Sequence, residues 1–151
     1  MSKKITIIDY GMGNLYSVQN ALRSIGAEPV VTSDAAVIAQ AEKILLPGVG
    51  AFGDCMANLE KSGLIPVIMD SLHSGKPFLG ICLGMQLLFE GSDEAPGVKG
   101  LGFFKGQVRL LHTKLKIPHM GWNKLELRSP SPLLELSLIH ISEPTRQAEI
   151  S

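Results

Sequence analysis

Lys76-Pro77-Phe78-Leu79-Gly80-Ile81-Cys82-Leu83-Gly84-Met85-Gln86-Leu87-Leu88-Phe89-Glu90 is the stretch on which the reading of this 151-residue chain turns. Phe78 to Ile81 form a short apolar run with strand character and Leu83 to Glu90 open a helix, so Cys82 falls on the turn between them. A sharp strand-to-helix turn cramps the residue at its apex. Gly80 and Gly84, two positions to either side, let the flanking chain pass without side-chain collision. The apex thiol is then held out from the sheet, and the unpaired first-turn N–H groups of the helix face it and favour a thiolate. The Leu83 N–H is the first candidate to hold a developing oxyanion. The competing reading is a buried cysteine acting as a small hydrophobe, the commoner fate of a free thiol. The two glycines favour the nucleophile.

Working back toward the N-terminus, Ile5 to Asp9 is a β-branched run suited to a central parallel strand. Tyr10-Gly11-Met12-Gly13-Asn14 is a glycine-bearing turn whose spacing is not that of a dinucleotide-binding loop. Leu15, Val18, Leu22 and Ile25 then recur at helical spacing up to Gly26. Val30 to Thr32 reads as a second strand, Ser33 or Asp34 as the cap of a helix through Ala41, and Lys43 to Leu46 as a third strand. Strand alternating with helix specifies an α/β protein with a mostly parallel central sheet and helices on both faces, and ligands gather at the carboxyl ends of such strands. Pro47-Gly48-Val49-Gly50-Ala51-Phe52-Gly53 leaves the third strand on the same rim as Cys82. That loop is either a turn requiring positive φ or a second source of backbone donors for a substrate. Met56, Leu59, Leu64, Val67, Ile68 and Leu72 mark the core faces of helices interrupted near Gly63 to Pro66. Cys55, among them, has no turn context and reads as inert packing.

Beyond the turn, residues 91–97 read as a surface loop and Gln107 to Leu111 as a strand. Ile117-Pro118-His119-Met120-Gly121-Trp122-Asn123 gathers the only Trp, a His and an Asn around a glycine, as a hairpin edge with Lys124 to Leu127 would. That density of aromatic and amide groups indicates a partner surface, a substrate wall or ordinary hairpin packing.

With 45% hydrophobic residues and zero formal net charge, the chain has the apolar mass for one α/β-sized core and no charge excess for nucleic acid or an anionic membrane. Only two cysteines occur, and no apolar stretch has signal-peptide or membrane-spanning form. The expected setting is cytoplasmic, with reduced thiols.

Four segments, Asp9 to Asn14, Leu46 to Phe52, Gly80 to Gln86 and Pro118 to Asn123, together resemble the glutaminase subunits of imidazole glycerol phosphate synthase, which are class I (triad) glutamine amidotransferases of histidine biosynthesis. The likeness runs from about residue 3 to residue 136 and implies the three-layer fold of that class, with its C-terminal part missing. It also implies that Cys82 attacks the side-chain amide of L-glutamine, giving a γ-glutamyl thioester and ammonia, after which water releases glutamate. Gln86 would help bind glutamine, and Gly48, Val49 and Gly50 with the Leu83 N–H would form the oxyanion hole. Ammonia would pass to a (β/α)8 cyclase subunit that makes imidazole glycerol phosphate and aminoimidazole carboxamide ribonucleotide. Asn14, His119, Met120 and Trp122 would face that subunit. No cofactor and no metal is implied.

The triad of the class also needs a His and a Glu, supplied by a His-Pro-Glu segment that does not occur here. His140 and Glu143 are spaced His-Ile-Ser-Glu. His73, His112 and His119 stand in other contexts, and none of the four is placed by sequence to serve Cys82. From Ser137 the likeness stops, and residues 137–151 resemble a translated sequencing adapter. The expected division is therefore an incomplete amidotransferase domain over 1–136 and a non-native tail over 137–151.

Overall fold

The computed structural model of the chain describes residues 3–112, 120–121 and 145–146. The chain divides into two units, Met1–Leu110 and Leu111–Ser151. In the first, the alternation read from the sequence is present. Strand β1 (Lys4–Ile8), helix α1 (Leu15–Ser24), β2 (Glu28–Thr32), α2 (Ala35–Gln40), β3 (Ile44–Leu46), α3 (Phe52–Ser62), α4 (Ile65–His73), β4 (Phe78–Gly80) and α5 (Leu83–Gln86) follow one another. The strands form one parallel sheet in the order β2-β1-β3-β4. Pro29 lies in β2, an edge strand, where a missing N–H costs no interior ladder bond.

The path steps from β1 to β2 in one direction and from β2 through β3 to β4 in the other, so right-handed crossovers put α1 on one face and α2, α3 and α4 on the opposite face. The second face holds the main core. Ile8, Ile44 and Leu46 from the strands pack there with Ile38, Phe52, Leu59 and Ile68 from the helices. Because side chains alternate along a strand, Ile7 and Leu45 point to the α1 face, where they align in register with Val31 and Leu79. Ile7 and Leu45 are buried, whereas Leu79, on the edge strand β4, stays 43% exposed. The break anticipated between the two middle helices is at Gly63, with Pro66 opening α4. Asp34 caps α2 by accepting the Ala36 N–H at 2.8 Å.

Two expectations are corrected. The helix predicted from Leu83 to Glu90 ends at Gln86. Beyond it the i→i−4 bonding fails: Leu88 and Phe89 N–H bond three residues back, to Met85 and Gln86 O, and Glu90 N–H is drawn to Gly106 O at 3.0 Å, while Leu87, Leu88, Phe89 and Glu90 O accept from Leu101, Phe104, Gly102 and Gly100 N–H. The strand predicted from Gln107 to Leu111 is confined to β6 (Gln107–Val108), which pairs in parallel with β5 (Gly91–Ser92) inside the segment read as surface loop. Leu110 leaves the strand because its N–H bonds the Asp93 carboxylate at 3.2 Å.

In the second unit, β7 (Met120–Gly121) pairs antiparallel with β8 (Thr145–Arg146). The hairpin partner expected at 124–127 lies outside the described residues. Among the described residues, no helix is long and apolar enough to cross a membrane.

Candidate active site

Cys82 follows the carboxyl end of β4 and caps α5 with φ 55° and ψ −121°. Among the described residues it is the one non-glycine residue at positive φ, and its thiol side is exposed. An L-residue held there stores about 1–3 kcal/mol of strain, so the surrounding structure must impose the conformation. It does so through backbone-on-backbone packing. A Cβ added to Gly80 would lie 2.5 Å from Met85 Cα, and one added to Gly84 would strike the Leu46 carbonyl. The Ile81 N–H donates to that same Leu46 oxygen at 3.0 Å, tying the turn to the end of β3.

The glycine loop after β3 abuts the turn directly. A Cβ on Gly48 would fall 2.6 Å from Gly84 N and 2.8 Å from Leu83 Cβ, so Gly48 is required for close approach. Gly50 has the positive φ, 101°, that the turn reading of the loop required. Gly48 is buried, while Val49, Gly50 and Cys82 are exposed.

The first-turn N–H groups are less available than a full helix start implies. Gly84 N–H bonds Ile81 O at 2.9 Å, and Met85 and Gln86 N–H both bond Cys82 O, at 3.0 and 3.2 Å. Leu83 N–H takes no acceptor among the described residues. Gln86 is buried, 5% exposed, one turn beyond Cys82.

Two side chains that the sequence reading left in a turn and in packing reach the glycine loop. Tyr10, just after β1, donates its hydroxyl to Pro47 O at 2.8 Å. Cys55, in α3, donates its thiol to Val49 O at 3.4 Å. Burial, with the neighbouring Cys55 thiol second, pushes the Tyr10 hydroxyl up from its ordinary pKa, and burial likewise pushes the Cys55 thiol up. The only signal of Tyr10 in the sequence was its place directly after a strand; Cys55 gave none.

The remaining site expectations fall on other elements or outside the described residues. Asn14 is exposed and caps α1, its Oδ1 accepting the Ser17 N–H at 3.1 Å. His73 ends α4 at the amino end of β4, opposite the end that carries Cys82, and its ring meets Phe103 edge-on at 5.5 Å. His112 is exposed and belongs to the second unit. Met120 lies in β7, and His119, Trp122, His140 and Glu143 lie outside the described residues.

Comparison with known proteins places this geometry. The family described as glutamine amidotransferase class-I matches residues 6–137. Similar curated proteins include the imidazole glycerol phosphate synthase subunit HisH of Aquifex aeolicus (strain VF5), 53% identical over 133 residues that cover 87% of this chain and 64% of that protein. The subunit of the same name from Bacillus cereus (strain G9842) is 54% identical over 85% of this chain and 62% of its own length. That of Methanothermobacter thermautotrophicus is 52% identical over 87% and 65%. The chain thus spans less than two thirds of the length of these relatives. With residues 6–137 matched and the strand-turn-helix geometry at Cys82 in place, the chain belongs to the class I glutamine amidotransferase family.

Proposed function

We propose that this chain is the glutaminase subunit of an imidazole glycerol phosphate synthase, acting in histidine biosynthesis in the cytoplasm, with Cys82 as nucleophile. The observation that carries the chemistry is the exposed Cys82, held at positive φ at a turn against which the glycine loop packs, with a Leu83 N–H that takes no acceptor among the described residues. The Cys82 thiol gives up its proton and the thiolate adds to the side-chain amide carbon of glutamine, the oxygen becomes negative, and collapse, with a proton taken up from solvent by the leaving nitrogen, expels ammonia and leaves a γ-glutamyl thioester. Leu83 N–H and the N–H groups of the Gly48-Val49-Gly50 loop receive the oxyanion, and Gln86 contributes to holding glutamine. Water then releases glutamate, and ammonia passes to the cyclase subunit. Asn14, His119, Met120 and Trp122 form the face toward that partner. The names of the three relatives, each a subunit of the synthase, support this assignment.

Residues 1–136 constitute the amidotransferase portion, and 137–151 a tail foreign to it; a family match ending at residue 137 supports that boundary. Among these 151 residues no His-Pro-Glu segment occurs, and none of the four His is assigned as the base that serves Cys82. Treating the folded chain with a glutamine-like diazo-ketone and locating the adduct by mass spectrometry tests the thiol. Labelling is expected at Cys82 and not at Cys55, and an unlabelled Cys82 in a folded sample rejects the nucleophile. Ammonia release with and without the cyclase subunit tests turnover, with Cys82→Ala as the control. Re-reading the gene past the codon for Leu136 tests the tail, since a His-Pro-Glu segment in frame there would restore the triad.

A further inference from the structure

Tyr10 and Cys55 converge on one short loop from different supports. Tyr10 is carried by the end of β1 and is 4% exposed; Cys55 is carried by α3 and is fully buried. Their acceptors, the carbonyls of Pro47 and Val49, bracket Gly48 at distances of 2.8 and 3.4 Å. In a trans peptide the N–H points opposite to its C=O. A carbonyl drawn toward the core therefore turns the N–H of the next residue away from the donor. For the Val49–Gly50 peptide that direction is away from α3, at two residues that are both exposed, while Gly48 before them packs against Leu83 and Gly84 of the turn. The Gly48–Val49 peptide between the two anchors has no bond to either donor. Burial keeps both donors protonated, as their upward-shifted pKa values require. Ionised, each would be an acceptor facing a carbonyl oxygen.

We propose that Tyr10 and Cys55 are positioning residues for the oxyanion-binding loop: by donating to the Pro47 and Val49 carbonyls, they hold the loop in the orientation in which its N–H groups receive the negative oxygen of an adduct on Cys82. This rests on Cys82 being the nucleophile that attacks the glutamine amide. Packing alone gives a different expectation, because Tyr10→Phe keeps the ring and removes only the donor. The loop would then be free to turn its carbonyls outward, toward the place where the oxyanion forms.

The test separates oxyanion formation from thiol reactivity. A glutamine-like aldehyde with a blocked α-amino group adds to Cys82 reversibly; the S–C bond forms, the carbonyl π bond becomes an oxyanion, and the thiol proton goes to that oxygen or to solvent. Its dissociation constant is read from protection of Cys82 against iodoacetamide, quantified at Cys82 by mass spectrometry. Iodoacetamide itself displaces iodide from carbon and forms no oxyanion. Tyr10→Phe and Cys55→Ala are each expected to weaken the aldehyde by about tenfold or more, while the iodoacetamide rate without aldehyde changes by less than about twofold. Cys55→Ser, which keeps a donor, is expected to stay within about threefold of wild type. Unchanged aldehyde affinity in both variants overturns the proposal. So does a parallel fall in aldehyde affinity and iodoacetamide rate, which reports general loosening. If the wild-type chain binds propionaldehyde as tightly as the glutamine analogue, the glutamine reading fails instead, and the same variants compared with propionaldehyde still decide the role of the loop.

Discussion

Replacing Gly84 by Ala should be far more damaging than replacing a glycine in open space, and the structure sets the size of the difference. The new methyl would meet the Leu46 carbonyl oxygen and lie 2.7 Å from Leu46 C and 3.0 Å from Pro47 C. Ordinary contact is about 3.5–4.0 Å, so the turn and the end of β3 must part by about 1 Å. Overpacking of this kind costs about 1–3 kcal/mol, and backbone obstacles, which cannot rotate away, place Gly84→Ala at the upper end. The same separation stretches the Ile81 N–H to Leu46 O bond, now 3.0 Å. Its loss adds about 1 kcal/mol. Relief of glycine's chain entropy in α5 returns about 0.5–1 kcal/mol, for a net loss near 3 kcal/mol. Gly75→Ala is the comparison. Gly75 has φ +73° and nothing within 4 Å of an added Cβ. Only left-handed strain applies there, about 1–2 kcal/mol. In urea unfolding followed by far-ultraviolet circular dichroism, Gly84→Ala should lower the midpoint by about 1–2 M, against less than about 1 M for Gly75→Ala. A Gly84→Ala loss no larger than that of Gly75→Ala would refute the claim that backbone contact between β3 and the turn explains Gly84.

Other outcomes follow from the same geometry. Cys82→Gly should raise stability by about 1 kcal/mol in urea while removing all diazo-ketone labelling, because the strain at φ 55° is released; a destabilised variant would mean that the conformation is not strained. Asn14→Ala and Asp34→Ala should each cost about 1 kcal/mol as lost helix caps, and no change in the urea midpoint would remove the capping role. Tyr10 and Cys55 titrate higher in the folded chain than their ordinary values of 10.0 and 9.0, so the unfolded chain gives up its protons first as pH rises. Their contribution is complete below those ordinary values and is lost as pH climbs through the folded ones. Unfolding free energy should therefore decline above pH 9, less steeply in the Tyr10→Phe, Cys55→Ala double variant, and equal slopes would contradict the assignment.

The alternation of elements and the turn at Cys82 were legible because they are local. Period-2 and period-3.6 apolar patterns fall within single elements, and Gly-Ile-Cys-Leu-Gly carries its own steric demand. The extent of α5 was not legible. Leu83 to Glu90 has the composition of a longer helix, and it ends at Gln86, after which Leu88 and Phe89 N–H bond three residues back and Glu90 N–H is drawn to Gly106 O. The pairing of β5 with β6 escaped for the same reason, since two-residue strands carry no period.

By itself, then, the sequence determined the parallel α/β order, the apex position of Cys82 and its neighbouring glycine loop, all consequences of steric and apolar preferences within a few residues. Only the tertiary structure decided why each glycine is needed, Gly48 for close approach and Gly50 for positive φ. It alone also brought Tyr10, 37 residues away, to the Pro47 carbonyl and turned the Cys55 thiol onto Val49. The physical reason is that hydrogen bonds between distant elements depend on how β1, β3 and α3 stack, a relation that no local pattern encodes.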